Sequence, residues 1–428
     1  MTDSVVVGAG LAGLVAATRL AHAGQSVVLL AQGLGGLPLS TGTVDILGYA
    51  GAPVDHPLRA VAELVRGAPD HPYAVIGPAA VTSGLDWLQA LLPELLQGDL
   101  KTNVTLPTAL GALRPTCLHP PSMAAGAVAT GSAAESAIAI VGPHQLKDFG
   151  PELCAANLAR LLAAAGRETS VTAYRIDLPA RPGETDSSPL TYARRLDQAD
   201  YRQRFAQLVA ERLGGETVVG LPAVLGLADP AAWEDLGQLI GRPVFEIGLA
   251  PPSVPGLRLH NALTAAARQA GVRIVLGAQA TGFRTRGDRL VSLRSHQAGA
   301  GRDWPGDHFV YAGGGWESGA FRLDSHGHMV ETVFGLPLRG GDVADANIDL
   351  LGPDYWQDQE LFKVGLEVDR TMRPLGPSKQ PVFSNLHAVG SLLAGAVRWS
   401  ELSGEGIAVG SAQAAAAAIL GLEPEKGK

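Results

Sequence analysis

An α/β chain built on a parallel sheet, with a second α/β layer inserted into it, is what this sequence predicts. Three observations predict it. Residues Val5-Val6-Val7-Gly8-Ala9-Gly10-Leu11-Ala12-Gly13 join an apolar run to a helical pattern through a Gly-rich turn, and a second apolar run begins at Ser26. A strand, a tight Gly turn, a helix and a strand in that order form a Rossmann-like unit. From about residue 101 to about 250, strands alternate with helices, the mark of a parallel α/β layer. The chain has 428 residues, long enough for two or three domains or one domain with a large insertion.

Taken in order, residues 4–7 read as a strand, 11–23 as a helix and 26–30 as the second strand. Residues 33–42 form a Gly-rich loop. Apolar spacing puts helices over 60–66 and 83–97, and residues 106–121 are rich in turn formers. The inserted layer runs strand 137–141, helix 151–165, strand 171–178, helix 191–213, strand 217–219, helix 231–240, strand 244–247. A helix over 257–271 follows, then strands 273–276, 280–285 and 290–295, the last two a meander. Residues 308–312 and 386–389 read as buried strands, an Ala-rich helix starts near Gly406, and the tip at 423–428 reads as frayed. The expected division is a discontinuous domain of residues 1–100 and 251–428, with 101–250 inserted.

Composition narrows the function. Hydrophobic residues are 46% and charged residues 17%, which supplies a sizeable core and excludes disorder for the bulk of the chain. Gly is 54 of 428 without a G-X-Y period, so collagen is excluded and tight turns or close backbone approaches are favoured. The net charge of −8 argues against a nucleic-acid binder. Two cysteines, Cys117 and Cys154, cannot build a disulfide framework or a four-thiolate metal or iron–sulfur site. No metal site is expected, and any redox chemistry needs an organic cofactor. Asp3 ahead of the first apolar run has the wrong sign for a signal peptide. The run at 406–422 is too short and too weak to span a bilayer, so a cytoplasmic chain is expected.

The chemistry-bearing motif is Gly8-x-Gly10-x-x-Gly13. Gly8 makes the tight turn, Gly10 lets backbone approach a phosphate, and Gly13 lets the helix lie on the strand. The phosphate would sit at the helix N-terminus, on free N–H groups. The fingerprint also expects an acid at the end of the second strand, for the adenosine ribose. That position is Ala31, in Leu30-Ala31-Gln32-Gly33. A ligand without an adenosine, such as FMN, does not need the acid. Ser40, Thr41, Gly42 and Thr43 follow; they suit contacts to a flavin or its phosphates, or an ordinary turn. Ala312-Gly313-Gly314-Gly315 is similar to the Ala-Thr-Gly turn of two-dinucleotide-fold flavoproteins. Gly390 and Ser391 fall where those proteins often place a Gly-Asp pair on the ribityl chain, with Ser391 as the departure. Ser403-Gly404-Glu405-Gly406 opens the last helix, whose N-terminus would stabilise negative charge on a reduced flavin.

Further segments carry a wider resemblance: Ser40-Thr41-Gly42-Thr43-Val44-Asp45-Ile46-Leu47, His71-Pro72-Tyr73, Leu113-Arg114-Pro115-Thr116 and Asp148-Phe149. Gly226-Leu227-Ala228-Asp229, Pro251-Pro252-Ser253-Val254-Pro255-Gly256-Leu257-Arg258-Leu259 and Thr371-Met372-Arg373-Pro374 complete it. With these the chain resembles the B subunit of anaerobic glycerol-3-phosphate dehydrogenase over nearly its whole length. The resemblance implies a Rossmann-like two-dinucleotide-type flavoprotein fold with an inserted α/β domain, carrying FMN, with FAD as the alternative. It implies an FAD-containing catalytic A subunit, plus an iron–sulfur C subunit that docks the complex to the inner face of the cell membrane and passes electrons to quinone. The implied reaction is oxidation of sn-glycerol 3-phosphate to dihydroxyacetone phosphate in anaerobic respiration. Glu405 departs from a turn that is mostly Gly in the family.

A glycerol phosphate site needs cations, typically Arg. On matching segments the candidates are Arg114, Arg258 and Arg373; His260 and His119 are candidate proton acceptors. Asp45 and Asp369 are weaker candidates. Any of the arginines can equally be salt-bridged and structural. Two other readings stay open: a free-standing FAD-dependent oxidoreductase of the fumarate-reductase-like type, and a structural subunit whose flavin fold is degenerate. Intact Gly8, Gly10 and Gly13 speak against the second of these.

Overall fold

The computed structural model describes residues 2–128, 137–341, 351–354, 357 and 359–422, so the expected frayed tip lies outside the described residues. The chain divides into two compact units, each with its own parallel sheet. The first unit comprises Met1–Gly36, Asp45–Leu91 and Ala262–Lys428. Its five strands lie in the order Arg273–Leu276, Val27–Ala31, Ser4–Val7, His308–Tyr311, Leu386–Ala388, all parallel. Ser4–Val7 sits at the centre, and Val5 and Val6 are fully buried, as an inner parallel strand covered on both faces requires.

Two helices cover this sheet. Leu11–His22 follows the first strand directly, and it packs against the last helix, Gly404–Ile419. Small residues allow the last helix to be buried closely. Its Gly410 lies against Val81 and Ile76, and Gly84 of the helix Pro78–Leu91 lies against Val409. This helix is apolar on every side because it is enclosed by protein. Among the described residues, no helix is long and apolar enough to cross a membrane.

The first unit departs from the sequence expectation in three places. The helix expected at 83–97 is Pro78–Leu91. An additional helix, Pro72–Ile76, is too short to show a period; it is capped by the His71 imidazole, which accepts the Tyr73 N–H. The meander has a third strand, Ala300–Pro305, beside Gln279–Arg286 and Arg289–Gln297. That strand is largely exposed, so it lacks an apolar alternation to announce it.

The second unit comprises Leu37–Val44 and Leu92–Asn261. The sequence expectation puts the breaks at 101 and 250 and leaves residues 37–44 with the first domain. The structure ties the 37–44 loop to the second unit by backbone bonds: Val44 and Leu118 exchange N–H···O contacts of 2.8 and 3.1 Å, and Ser253 N–H donates to Pro38 O. The four strands lie parallel in the order Val244–Ile247, Val218–Pro222, Ile138–Pro143, Val171–Ile176. Residues 106–121, expected as turns, contain a hairpin of Val104–Pro107 with Leu113–Thr116.

The helix expected at 191–213 is two helices, Pro189–Leu196 and Ala199–Ala210. Asp197 breaks it, because its carboxylate accepts the N–H groups of Leu227, Ala228 and Asp229 at 2.8, 3.0 and 3.1 Å. Arg202 pairs with Asp229 and Asp235. Arg258 reaches the same turn from the helix Val254–Gln269: its Nε donates to Gly226 O at 2.8 Å, and Nη1 and Nη2 grip Glu246 at 2.7 and 2.9 Å. Ser122 Oγ and Leu225 N–H also donate to Glu246, so every carboxylate oxygen of this buried side chain is satisfied. Burial pushes the Glu246 carboxyl up, but Arg258, Ser122 and Leu225 outweigh it and hold the group below the usual carboxylate range.

Removing one partner of such a pair strands the other in the interior. Glu246→Gln should therefore cost about 3 kcal/mol of stability at neutral pH, read from urea denaturation. Because the folded-state pKa is depressed, this stabilisation is fully present above the ordinary glutamate range. It disappears as pH falls through the lowered folded value, so the two unfolding curves converge on the acid side.

Candidate functional site

All five strands of the first sheet are parallel, so their carboxyl ends open on one edge, where α/β proteins of this kind bind ligands. The Gly-rich turn after the first strand lies there. Gly8 has φ +105°, and a Cβ on it would collide with the Ala312 carbonyl. A Cβ on Gly13 would collide with the Gly8 carbonyl, so the helix rests on the strand with no side chain between. Gly10 is different: a Cβ there would meet nothing within 4 Å. It is the N-cap of Leu11–His22, and no side chain caps that helix. The result is open space in front of unshared helix N–H groups, which suits a phosphate. Gly35 packs its backbone onto Gly10 and closes the turn from the other side.

The strand Val27–Ala31 ends on Ala31, which is buried, and its carbonyl accepts the Ala278 N–H. Gln32 follows and is exposed. The residues present therefore fit the phosphate of a flavin and lack the ribose carboxylate.

The turns after the next two strands adjoin this cradle. Gly313 lies against the Tyr311 ring, and Gly314 has φ +83° beside Ser318. Gly390 has φ +73°, and a Cβ on it would lie 2.9 Å from Ala12 Cβ, in the first turn of the cradle helix. The Gly390 N–H donates to Ser411 Oγ at 2.9 Å, and Ser411 donates to Ile407 O at 2.6 Å. Ser411 is not distinguishable in the sequence, where it is one small residue in a small-residue helix.

A second support lies before the last helix. Glu401 Oε2 accepts from His71 Nε2 at 3.1 Å and from Ser403 Oγ at 2.7 Å; Oε1 accepts the Val397 N–H at 3.0 Å. Burial raises the Glu401 carboxyl, and the hydrogen bonds from His71, Ser403 and Val397 more than offset it. Tyr73 donates to the Ile46 carbonyl from the same cluster. These bonds hold Leu402 at φ +50°, the residue that turns the chain into the last helix. The His71-Pro72-Tyr73 segment thus has a positioning role that its sequence alone does not announce.

Ser40, Thr41, Gly42 and Thr43 belong to the second unit. There Ser40 Oγ donates to Leu37 O, Thr41 and Thr43 hydroxyls lie 2.8 Å apart, and Arg114 Nη1 donates to Thr43 Oγ1 at 2.8 Å. Arg114 and Thr43 are therefore brought together. Arg258 is taken up by Glu246 and Gly226. His260 is buried on the same helix. His119 is buried with Nδ1 3.0 Å from Pro120 O, and burial pushes its imidazole down. In the first unit Arg373 is held by Asp369, with Nε and Nη2 at 2.9 and 2.8 Å from Oδ2. Both cysteines are buried, and burial pushes the Cys154 thiol up to about 11, which makes it inert at neutral pH.

The contrast between Gly10 and Gly13 is testable. Gly10→Val should fold with stability within about 1 kcal/mol of the parent yet lose at least about tenfold in flavin affinity, since only the ligand space is filled. Gly13→Val should lose about 3 kcal/mol, because the helix must move off the strand. Fluorescence titration with flavin and urea denaturation separate the two effects.

The family model described as an FAD binding domain matches residues 3–407. The B subunit of the anaerobic glycerol-3-phosphate dehydrogenase of Pectobacterium atrosepticum is 30% identical, over 98% of this chain and 98% of its own length. The probable B subunit of the anaerobic glycerol-3-phosphate dehydrogenase of Halobacterium salinarum is 30% identical over 97% of each chain. Among solved structures, 3-ketosteroid delta1-dehydrogenase from Sterolibacterium denitrificans has a TM-score of 0.47 and 12% identity, over 98% of this chain and 99% of its own. With the glycine cradle intact and the relatives matched end to end, the chain belongs to the FAD binding domain family of oxidoreductases and, within it, to the B-subunit family of the anaerobic glycerol-3-phosphate dehydrogenases.

Proposed function

We propose that this chain is the flavin-carrying subunit of a quinone-linked glycerol-3-phosphate dehydrogenase. It takes part in oxidising sn-glycerol 3-phosphate to dihydroxyacetone phosphate, in an anaerobic respiratory complex on the inner face of the cell membrane. The observation that carries the reading is the open, uncapped helix N-terminus at Gly10, with Gly8 and Gly13 tight behind it. The discontinuous first unit is the flavin-binding domain. Gly8, Ala9, Gly10, Leu11, Ala12 and Gly13 would hold the phosphate, while Gly313, Gly314, Gly390 and Ser391 would line the rest of the flavin. Bound there, a flavin supplies acceptance of two electrons from the substrate alcohol.

The flavin we propose is FMN. The family model describes an FAD binding domain, but the second strand ends on Ala31 and presents no carboxylate to an adenosine ribose. The chain has two cysteines, both buried and too few for a four-thiolate cluster, so any iron–sulfur centre in the electron path would belong to a partner. An FAD-containing A subunit, with an iron–sulfur, membrane-anchoring C subunit, fits that need. On the substrate side, Arg258 and Arg373 are already gripped by Glu246 and Asp369. They act by holding their loops. Arg114, beside the Thr43 hydroxyl, is proposed for the substrate phosphate, and His260 for the proton.

Absorbance of the purified chain and chromatography of the released cofactor test the reading. Release of FMN is expected. Release of FAD would overturn the argument from Ala31 and leave the flavin fold standing. A protein that stays colourless after both flavins are added back would overturn the flavin reading. Glycerol-3-phosphate oxidation should appear only when the A and C subunits are added; turnover by this chain alone would mark a free-standing oxidoreductase.

A further inference from the structure

A mostly buried cation lies beside the cradle and is only partly paired. Arg398 opens the short helix Arg398–Glu401, in the segment joining the Gly390 turn to the last helix. Its side chain is only 13% exposed. Nη1 is buried and has no hydrogen-bond partner among the described residues. Nη2 lies 3.4 Å from Glu317 Oε1, on a side chain that is 52% exposed. A charge-assisted N–H···O bond is normally about 2.7–2.9 Å, so this bond is a long one, and it leaves Nη1 without a partner. Arg202, Arg258 and Arg373, by contrast, each end on a carboxylate at short distance. Removing most of a guanidinium from water with one long ion pair is costly, and the orphaned Nη1 donor is free to meet a ligand.

Its neighbours say which ligand. A Cβ on Gly390 would touch Ala12, in the first turn of the phosphate-binding helix. A Cβ on Gly315 would lie 3.1 Å from Ser391 O and 3.2 Å from Arg398 Nη2. The cradle helix, the Gly390 turn, the Gly315 turn and the guanidinium therefore form one continuous wall. The carboxyl ends of three adjacent strands build it.

We propose that Arg398 is an electrostatic partner of the bound flavin that favours its reduced, anionic form; this rests on the flavin reading above. The oxidised ring is neutral. Taking up two electrons and one proton leaves it with one negative charge. A fixed, partly dehydrated cation beside it stabilises that state over the oxidised one, because the attraction is strong where water is excluded. The exposed Glu317 carboxylate works against this, as a partial neutraliser of the same guanidinium.

The test uses the flavin-loaded full chain. Midpoint potentials are measured by anaerobic dye-equilibrated titration, and affinity for oxidised flavin by fluorescence. Arg398→Gln should weaken binding of reduced relative to oxidised flavin at least about tenfold, a fall of about 30 mV for a two-electron couple. Affinity for oxidised flavin should change little. Arg398→Lys should retain most of the potential. Glu317→Gln, at a half-exposed position, should shift the potential upward. An unchanged potential in Arg398→Gln, or in Glu317→Gln should the first variant fail to fold, overturns the proposal and leaves Arg398 a structural residue. If the parent chain itself retains no flavin, the flavin reading fails first, and the two failures are thereby told apart.

Discussion

The structure depends on one close approach. The helix Leu11–His22 lies on the first strand with only backbone between them, because neither Gly8 nor Gly13 carries a Cβ and Ala312 presents its carbonyl to the turn. A side chain at Gly13 would lift the helix away, and one at Gly8 would drive the turn off Ala312. The lift would spread, since the last helix packs on the first and Gly390 is fitted against Ala12. The same approach leaves Gly10 facing open space with unshared N–H groups. Packing and ligand capacity at this edge are therefore consequences of one steric constraint.

The supports around that edge are polar and come from far away in the sequence. Ser411 fixes the Gly390 turn, while Glu401, His71 and Ser403 fix the turn into the last helix. Each bond ties a loop to a rigid element, as a preorganised site requires. Charge in this region is unevenly compensated. Glu401 is surrounded by donors, Arg373 is chelated by Asp369, and Arg398 is left with one long contact. That imbalance is informative because buried polar groups are mostly paired.

The second unit solves a different problem. Its distinctive Gly226-Leu227-Ala228-Asp229 turn is filled by the chain's own charges: Asp197 occupies the N–H groups, Arg202 holds Asp229, and Arg258 bridges Gly226 to Glu246. A motif that looks functional by its rarity is here an internal hub. A buried ion pair of this kind specifies geometry more than it adds stability, since its desolvation cost offsets much of its attraction.

The sequence by itself determined the elements whose cause is local. The strand–glycine–helix–strand start, the parallel layer near residues 137–247 and the Ala-rich last helix follow from apolar period and glycine spacing, and the structure has them within a few residues. So does the missing acid at Ala31, which is a matter of residue type at a spacing. Only the tertiary structure decided the rest. The break at Asp197 depends on N–H groups thirty residues away; the helix at Pro72–Ile76 depends on a cap from His71; the third meander strand depends on pairing along an exposed edge. It also decided that Arg258 and Arg373 are gripped closely by carboxylates while Arg398 keeps one long contact to Glu317 and an unpartnered Nη1. Glycine constraints act on immediate neighbours and are written in spacing. The partner of a charge is chosen by folding, and no local pattern encodes it.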